Sequence, residues 1–152
     1  MRDQLDDLDI GIMTRLSRNA RKSYLEIGRE LKVSGATVHE RVRKLRRKGI
    51  IEGFYVRFDH KKLGRPVIAY VGLITSQKKP LFRLVEELKR VKEVEEAYSV
   101  TGKYDFLIKL RAPDNEQLQN LLTDRIGSLP GVVRHETMIA MTTVLEKNEG
   151  FL

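Results

Sequence analysis

The chain has 152 residues, 41% of them hydrophobic, no cysteine and a formal net charge of +8. That length suits one domain or two small ones with a real core, and the missing thiols exclude disulfides, thiol catalysis and the usual structural zinc sites. No run approaches the ~20 apolar residues of a membrane span, and the acidic N-terminus lacks the apolar core of a signal peptide, which predicts a soluble, cytoplasmic protein.

From Leu5 to Arg18, the residues Leu5, Leu8, Ile12 and Leu16 recur at helical spacing, with Asp6, Asp7 and Asp9 clustered at the start, where the helix dipole favours acids. Residues 19–22 break the pattern. Ser23 and Glu26 make an S-x-x-E capping box opening a second helix through Leu31. Gly28 inside it should be up to about 1 kcal/mol worse than Ala there, and a close helix crossing would account for it. A short turn then reaches Ser34, a natural N-cap, and the stretch from Ser34 to Gly49 predicts a third helix stopped at Gly49. Its Val38, Val42 and Leu45 fall at i, i+4 and i+7 as a narrow apolar stripe, so Ala36, Glu40, Arg43, Lys44 and Arg47 project from the opposite side, with Arg41 and Lys48 beside the stripe.

Between those caps stand six basic residues, Arg41, Arg43, Lys44, Arg46, Arg47 and Lys48, against one acid, Glu40. A thin first turn followed by cations is how a DNA recognition helix is arranged: small groups enter a major groove of about 12 Å while the basic residues reach phosphates. The same spacing also fits a solvated basic face on an ordinary surface helix. Charge distribution favours the first reading, although a high Lys/Arg/Glu content is also a feature of heat-adapted proteins. Residues 1–64 carry 16 Lys+Arg against 9 Asp+Glu, a net +7, whereas residues 65–152 carry 13 against 12, a net +1. That asymmetry predicts that one end of the chain meets a polyanion while the other does something different. The DNA-binding set is Ser34, Thr37, His39, Glu40, Arg41, Arg43, Lys44 and Arg47: Thr37 and Glu40 offer acceptors to base edges, Arg43 reaches guanine or phosphate, and Arg41, Lys44 and Arg47 grip phosphates, with His39 a groove or surface histidine.

After Gly49 the period changes to 2, and Phe54, Val56 and Phe58 alternating with Tyr55 and Arg57 predict a strand. The turn-rich DHKKLGRP at 59–66 follows. Beyond it come a strand over 67–75, a helix opened by Pro80 with Leu81, Leu84, Val85, Leu88 and Val91 inward, strands over 94–100 and 104–112, a helix capped by Asp114 with Gln117, and a last strand from Val132 towards Leu145. That order, βαββαβ, predicts a ferredoxin-like domain after the helices: an α+β chain with an N-terminal three-helix helix-turn-helix domain over 1–53, a strand and linker over 54–65, and the ferredoxin-like domain over 66–152, to which the family resemblance given below adds the roles of hinge for the strand and of effector binding and oligomerisation for the last domain. Four antiparallel strands with two helices on one face leave the other face apolar enough to need a partner, which predicts a dimer.

Catalytic patterns are absent. His39, His60 and His135 have no metal-ligand spacing, and Gly102-Lys103 lacks the earlier Gly and following Ser or Thr of a phosphate loop. No metal, cofactor or enzymatic activity is expected. The Thr101 to Asp105 stretch joins two central strands, and from spacing alone it fits either a plain hairpin turn or a loop whose Gly102 brings backbone amides close to a ligand.

The stretches LDDLDIGIMTRLSRNARKSYLEIGREL, VSGATVHERVRKLRRKGIIEGF, VTGKYDFLIKL and PDNEQLQNLLTDRIGSLPGVVR resemble the Lrp/AsnC family of transcriptional regulators, also called feast/famine regulators, almost end to end. The resemblance implies a helix-turn-helix domain, a strand-containing hinge, and an α/β effector domain that dimerises through its sheet and often assembles into octamers. It also implies an amino-acid effector near TGKYD, with Asp105 accepting from an α-ammonium group, the Gly102 region donating to an α-carboxylate, and Tyr104 covering the side chain; Thr101 completes this set. Gly28 stands where the family commonly has Ala, Arg46 and Lys48 where acids are frequent, and Lys103 where an acid is often found. The first two suggest altered packing and a stronger, less selective attraction to DNA, and Lys103 favours an acidic or neutral effector over a basic one. The expected protein is a homo-oligomeric, sequence-specific regulator that binds double-stranded DNA and responds to a small molecule, an amino acid. Two rival readings are a nucleoid-type architectural protein, and a metabolic enzyme or amino-acid-binding module on which the basic helix is incidental.

Overall fold

The structure, a computed structural model, describes residues 5–76 and 81–146. The chain divides into two compact units, one holding the chain up to Arg57 together with the segment from Leu145, the other spanning Phe58–Val144.

The first unit is built from α1 (Asp7–Arg18), α2 (Tyr24–Leu31) and α3 (Gly35–Arg47). Each begins at a side-chain cap. Asp6 and Asp9 form a capping box on α1, Ser23 and Glu26 form one on α2, and Ser34 Oγ accepts from the Thr37 amide on α3. The acids expected inside the first turn of α1 therefore include its cap. Ile12, Leu16, Ile27, Val38 and Val42 make the core, with Leu8, Tyr24, Leu31, Val33 and Ile51 packed against it. Of the apolar residues of α2, Ile27 is buried whereas Leu25 is 55% exposed. Gly28 has a cause more specific than a helix crossing: a Cβ there would lie 2.7 Å from the Val33 carbonyl oxygen and 3.1 Å from Gly35 N, because the turn between α2 and α3 runs back over it. Gly49, at φ +69°, takes the left-handed conformation that ends α3.

The expected strand over Phe54–Phe58 is not formed: among the described residues, no strand pairs with it. Alternation alone cannot make a strand, whose backbone groups need a partner. Phe54, Tyr55, Val56 and Phe58 remain 43–80% exposed.

The second unit is a four-stranded antiparallel sheet of order β2-β3-β1-β4, made from β1 (Val67–Thr75), β2 (Val94–Ser99), β3 (Phe106–Ala112) and β4 (Val132–Ile139). With α4 (Leu81–Lys89), α5 (Asn115–Leu121) and a π-helical turn (Leu122–Ile126), this is the βαββαβ order. Pro80 and the side chain of Leu81, expected at the start of α4, lie outside the described residues. Alternate residues of β1 and β3, Ala69, Val71 and Leu73 with Phe106, Ile108, Leu110 and Ala112, form the core with Leu84, Leu88, Leu118, Leu121 and Ile126. Each fully buried Leu or Ile in such a layer contributes about 1.5–3 kcal/mol. Val85, expected inward, is at the edge of this layer and 36% exposed. β4 ends at Ile139 rather than near Leu145, because β1 begins at Val67 and the last ladder bond runs from the Ala140 amide to the Ile68 carbonyl at 2.9 Å.

The other residues of the strands face away from the helices. Tyr70, Tyr98 and Met138 are exposed there, interleaved with Lys109, Arg111, Glu96 and Glu136.

Candidate DNA-reading helix and ligand loop

On α3, the stripe Val38, Val42 and Leu45 is fully buried, and burying it turns Ala36, His39, Glu40, Arg43, Lys44, Arg46 and Arg47 to the outside. Ser34 and Thr37 are already engaged with one another, through the cap bond of 3.0 Å and a hydroxyl contact of 2.8 Å. They set the helix start. Arg43 donates to Glu40 at 2.6 Å, and His39 Nδ1 lies 3.7 Å from the same carboxylate, so these three form one exposed group. The His39 ring also stands against Tyr24 at 5.8 Å between centroids. Among the described residues, Lys44, Arg46 and Arg47 meet no acid.

Arg41 departs from its expected place as a phosphate grip. Its guanidinium turns back onto α1, donating to Asp6 and, at 3.2 Å, to the buried Asp9. Its hydrogen bond, reinforced by the Asp9 amide, holds the Asp6 carboxyl below the usual carboxylate range. Beside the apolar stripe, a long side chain reaches the neighbouring helix before it reaches solvent.

In the second unit, Thr101 to Asp105 connects β2 and β3, with Gly102 at φ +112°. Both ends of the loop are pinned: the Val100 amide donates to the Asp105 carbonyl at 3.1 Å, and the Asp105 amide donates to the Leu73 carbonyl at 2.9 Å. Asp105 Oδ2 accepts from the Thr75 amide at 2.6 Å and the Thr75 hydroxyl at 2.9 Å. Thr101, Gly102 and Lys103 are exposed. The ring of Tyr104 lies flat on Gly72, where a Cβ would meet it at 2.5 Å, so the absence of a side chain at Gly72 makes its berth.

Glu136 on β4 completes this loop. It accepts from Lys103 Nζ at 2.5 Å and from the Tyr104 hydroxyl at 2.8 Å, and Arg134 lies 3.1 Å from its other oxygen. Lys103 and Tyr104 hold its carboxyl below the usual range, and Glu136 in turn raises the Lys103 ammonium. The charge of Lys103 is therefore already met within the chain. Glu136 carried no signal in the sequence, since it lies 33 residues from Lys103 and nearness follows only from the register that places it opposite Gly72.

The family described as the AsnC-type helix-turn-helix domain matches residues 5–46, and the Lrp/AsnC ligand binding domain matches residues 68–149. The chain belongs to the Lrp/AsnC family of transcriptional regulators. Like other members, it joins a helix-turn-helix domain to a ligand-binding domain. It is 35% identical over 149 residues to the HTH-type transcriptional regulator FL11 of Pyrococcus horikoshii, covering 98% of this chain and 97% of that one. It superposes on AsnC of Escherichia coli with a TM-score of 0.89 and 33% identity, covering 95% of this chain and 97% of that one. A transcriptional regulator from Neisseria meningitidis, solved in complex with L-Met, has the same fold at a TM-score of 0.90 and 18% identity, over 96% of each chain. Among the described residues of this Lrp/AsnC chain, no helix is long and apolar enough to cross a membrane.

Proposed function

We propose that this regulator acts in the cytoplasm as a homo-oligomer, a dimer at least, that reads double-stranded DNA with α3 and is modulated by an amino acid at the loop from Thr101 to Asp105. Its parts are a DNA-binding domain over 1–53, a linker over 54–65 and an effector domain over 66–152. The observation carrying the DNA half is the exposure of Lys44, Arg46 and Arg47 without an acid partner among the described residues, beside small groups at the first turn. Unpaired cations on a helix that fits the major groove are suited to phosphate, and Lys44 and Arg47 take that role here. Base reading falls to Thr37, Glu40 and Arg43, with His39 beside them and Ser34 holding the helix start. The Glu40–Arg43 pair can present a carboxylate acceptor and a guanidinium fork together.

For the effector, the L-Met complex of the structural neighbour supports an amino acid. Asp105 would accept from its ammonium group and the Gly102 backbone would donate to its carboxylate, next to Thr101. Tyr104 serves as a wall of the site rather than a mobile cover, since it is anchored on Gly72 and Glu136. The apolar residues of the open sheet face and of 54–58 supply the surface for a second copy.

Titrating the twenty amino acids while following thermal stability and oligomer size tests the effector half. At least one should raise the melting temperature and shift the size distribution, and Asp105→Asn should abolish both responses while leaving the Thr75 contacts. No response to any amino acid contradicts the reading.

A further inference from the structure

A second basic feature of the first unit lies away from the outward face of α3. The end of α1, the turn over 19–22 and the side of α2 enclose an open cleft of about 680 Å³ whose lining includes Arg15, Arg18, Arg21, Lys22, Glu26 and Glu30. Its acids are occupied. Glu30 accepts from Arg15 at 2.7 Å and from Lys22, which together hold its carboxyl below the usual range, while Glu26 caps Ser23 through bonds of 2.9 and 2.6 Å. Arg18 and Arg21 are exposed, and among the described residues neither guanidinium meets an acid. Four cations against two acids leave the cleft with a net positive charge concentrated on those two side chains.

The turn is fixed rather than loose. Asn19 Oδ1 accepts from the Arg21 amide at 3.0 Å, and the Asn19 carbonyl accepts from the Lys22 amide at 3.0 Å. It is also fixed relative to α3. Tyr24, two residues after Lys22, places its ring 5.8 Å from that of His39, and a Cβ on Gly35 would come within 3.2 Å of Leu25 Cα. The first turns of α2 and α3 thus share one edge, and the turn over 19–22 leads into the start of α2 at that edge. A helix is about 10–12 Å across, and the major groove about 12 Å wide between its phosphate rails. A group displaced by one helix diameter from a helix seated in the groove therefore meets a rail rather than bases.

We propose that this cleft is a phosphate-binding site in which Arg18 and Arg21 grip the DNA backbone beside the groove that α3 enters. The proposal rests on the reading of α3 as the DNA-contacting helix and extends the interface to a second element. The guanidinium fork matches two phosphate oxygens at once, and Arg15 and Lys22, tied to Glu30, form the basic floor behind it.

DNA affinity measured against salt concentration tests this with the full-length protein. The Arg18→Ala/Arg21→Ala variant should bind roughly tenfold more weakly to every sequence near physiological ionic strength, and its salt slope should fall by about two units, against about one for Arg47→Ala. The Arg18→Lys/Arg21→Lys variant should retain the slope, separating charge from packing. Thermal unfolding of the Ala variant should match the native protein, because neither guanidinium holds another group. A separate titration of the DNA-free protein with inorganic pyrophosphate distinguishes a free phosphorylated ligand from DNA as the source of phosphate; the proposal expects no saturable binding. An unchanged slope in the Ala variant, with Arg47→Ala still lowering it, overturns the proposal and leaves the reading of α3 standing. Saturable pyrophosphate binding lost in the Ala variant, with DNA affinity intact, reassigns the cleft to a free ligand. A native protein with no DNA affinity at all removes both.

Discussion

On α3, Lys44, Arg46 and Arg47 stand exposed with no acid partner among the described residues, whereas on the open face of the sheet Lys103, Lys109, Arg111 and Arg134 each meet a carboxylate. Residues of one chemical class serve two ends. A cation with an internal partner has part of its field cancelled and helps fix a strand or a loop, while a cation left over projects its charge outward, where it adds to the attraction for a polyanion. Net charge by halves, +7 against +1, anticipates this contrast. What it misses is Arg41, which sits in the basic stretch but belongs with the paired group through Asp6 and Asp9.

Arg111→Ala should break the contrast most severely if it is right. Arg111 is 6% exposed and donates to Glu95 at 2.5 Å, so its loss leaves a carboxylate with Lys109 at 3.6 Å and the His60 ring nitrogen at 4.0 Å. We expect a loss of about 2–3 kcal/mol in urea unfolding, below the range for a fully buried pair because Glu95 keeps some solvent and one cation. DNA affinity per folded molecule should not change. Arg47→Ala is the converse. Its unfolding free energy should stay within about 0.5 kcal/mol of native, while affinity falls by a similar factor for all DNA sequences. A stability loss in Arg47→Ala, or a selective DNA defect in Arg111→Ala, would dissolve the distinction.

The smallest expected effect is at Glu136. Its carboxyl lies below the ordinary value of 4.5, so the stabilisation it brings is present above that value and disappears as pH falls through the lower folded-state value. Lys103 lies above its ordinary 10.5, so its share is present below that and disappears as pH rises beyond it. Glu136→Gln should remove the acid-side dependence of the loop, read from the NMR shifts of Gly102 and Tyr104, with little change in melting temperature because both groups are solvated. A loop that titrates identically in Glu136→Gln would show that Lys103 and Tyr104 are held by something else.

These cases also divide what sequence could reveal from what it could not. Caps at Ser23, Ser34 and Asp114, the buried stripe of α3 and the succession of strands and helices along the chain were readable because each depends on residues a few positions apart. The run over 54–58 has the local pattern of a strand, but forming one requires a neighbour that the described residues do not supply. Glu136 and the partners of Arg41 were hidden for the opposite reason: the contact of Glu136 with Lys103 spans 33 residues and those of Arg41 with Asp6 and Asp9 span 35 and 32, and only sheet register and helix packing bring them together. Arg18, Arg21 and Lys22 are a visible cluster of charge between two helices, but their spacing predicts only a break, because the cleft they line follows from how α1 and α2 pack.

Selection of bound sequences from a random pool of double-stranded DNA, with and without a mixture of amino acids, tests the central claim most directly. The account predicts enrichment of a near-palindrome whose half-sites lie about one helical turn, ~10 bp, or a multiple of it apart, with recovery that changes when amino acids are present. Recovery without any enriched sequence, or an enriched sequence indifferent to every amino acid, would contradict it.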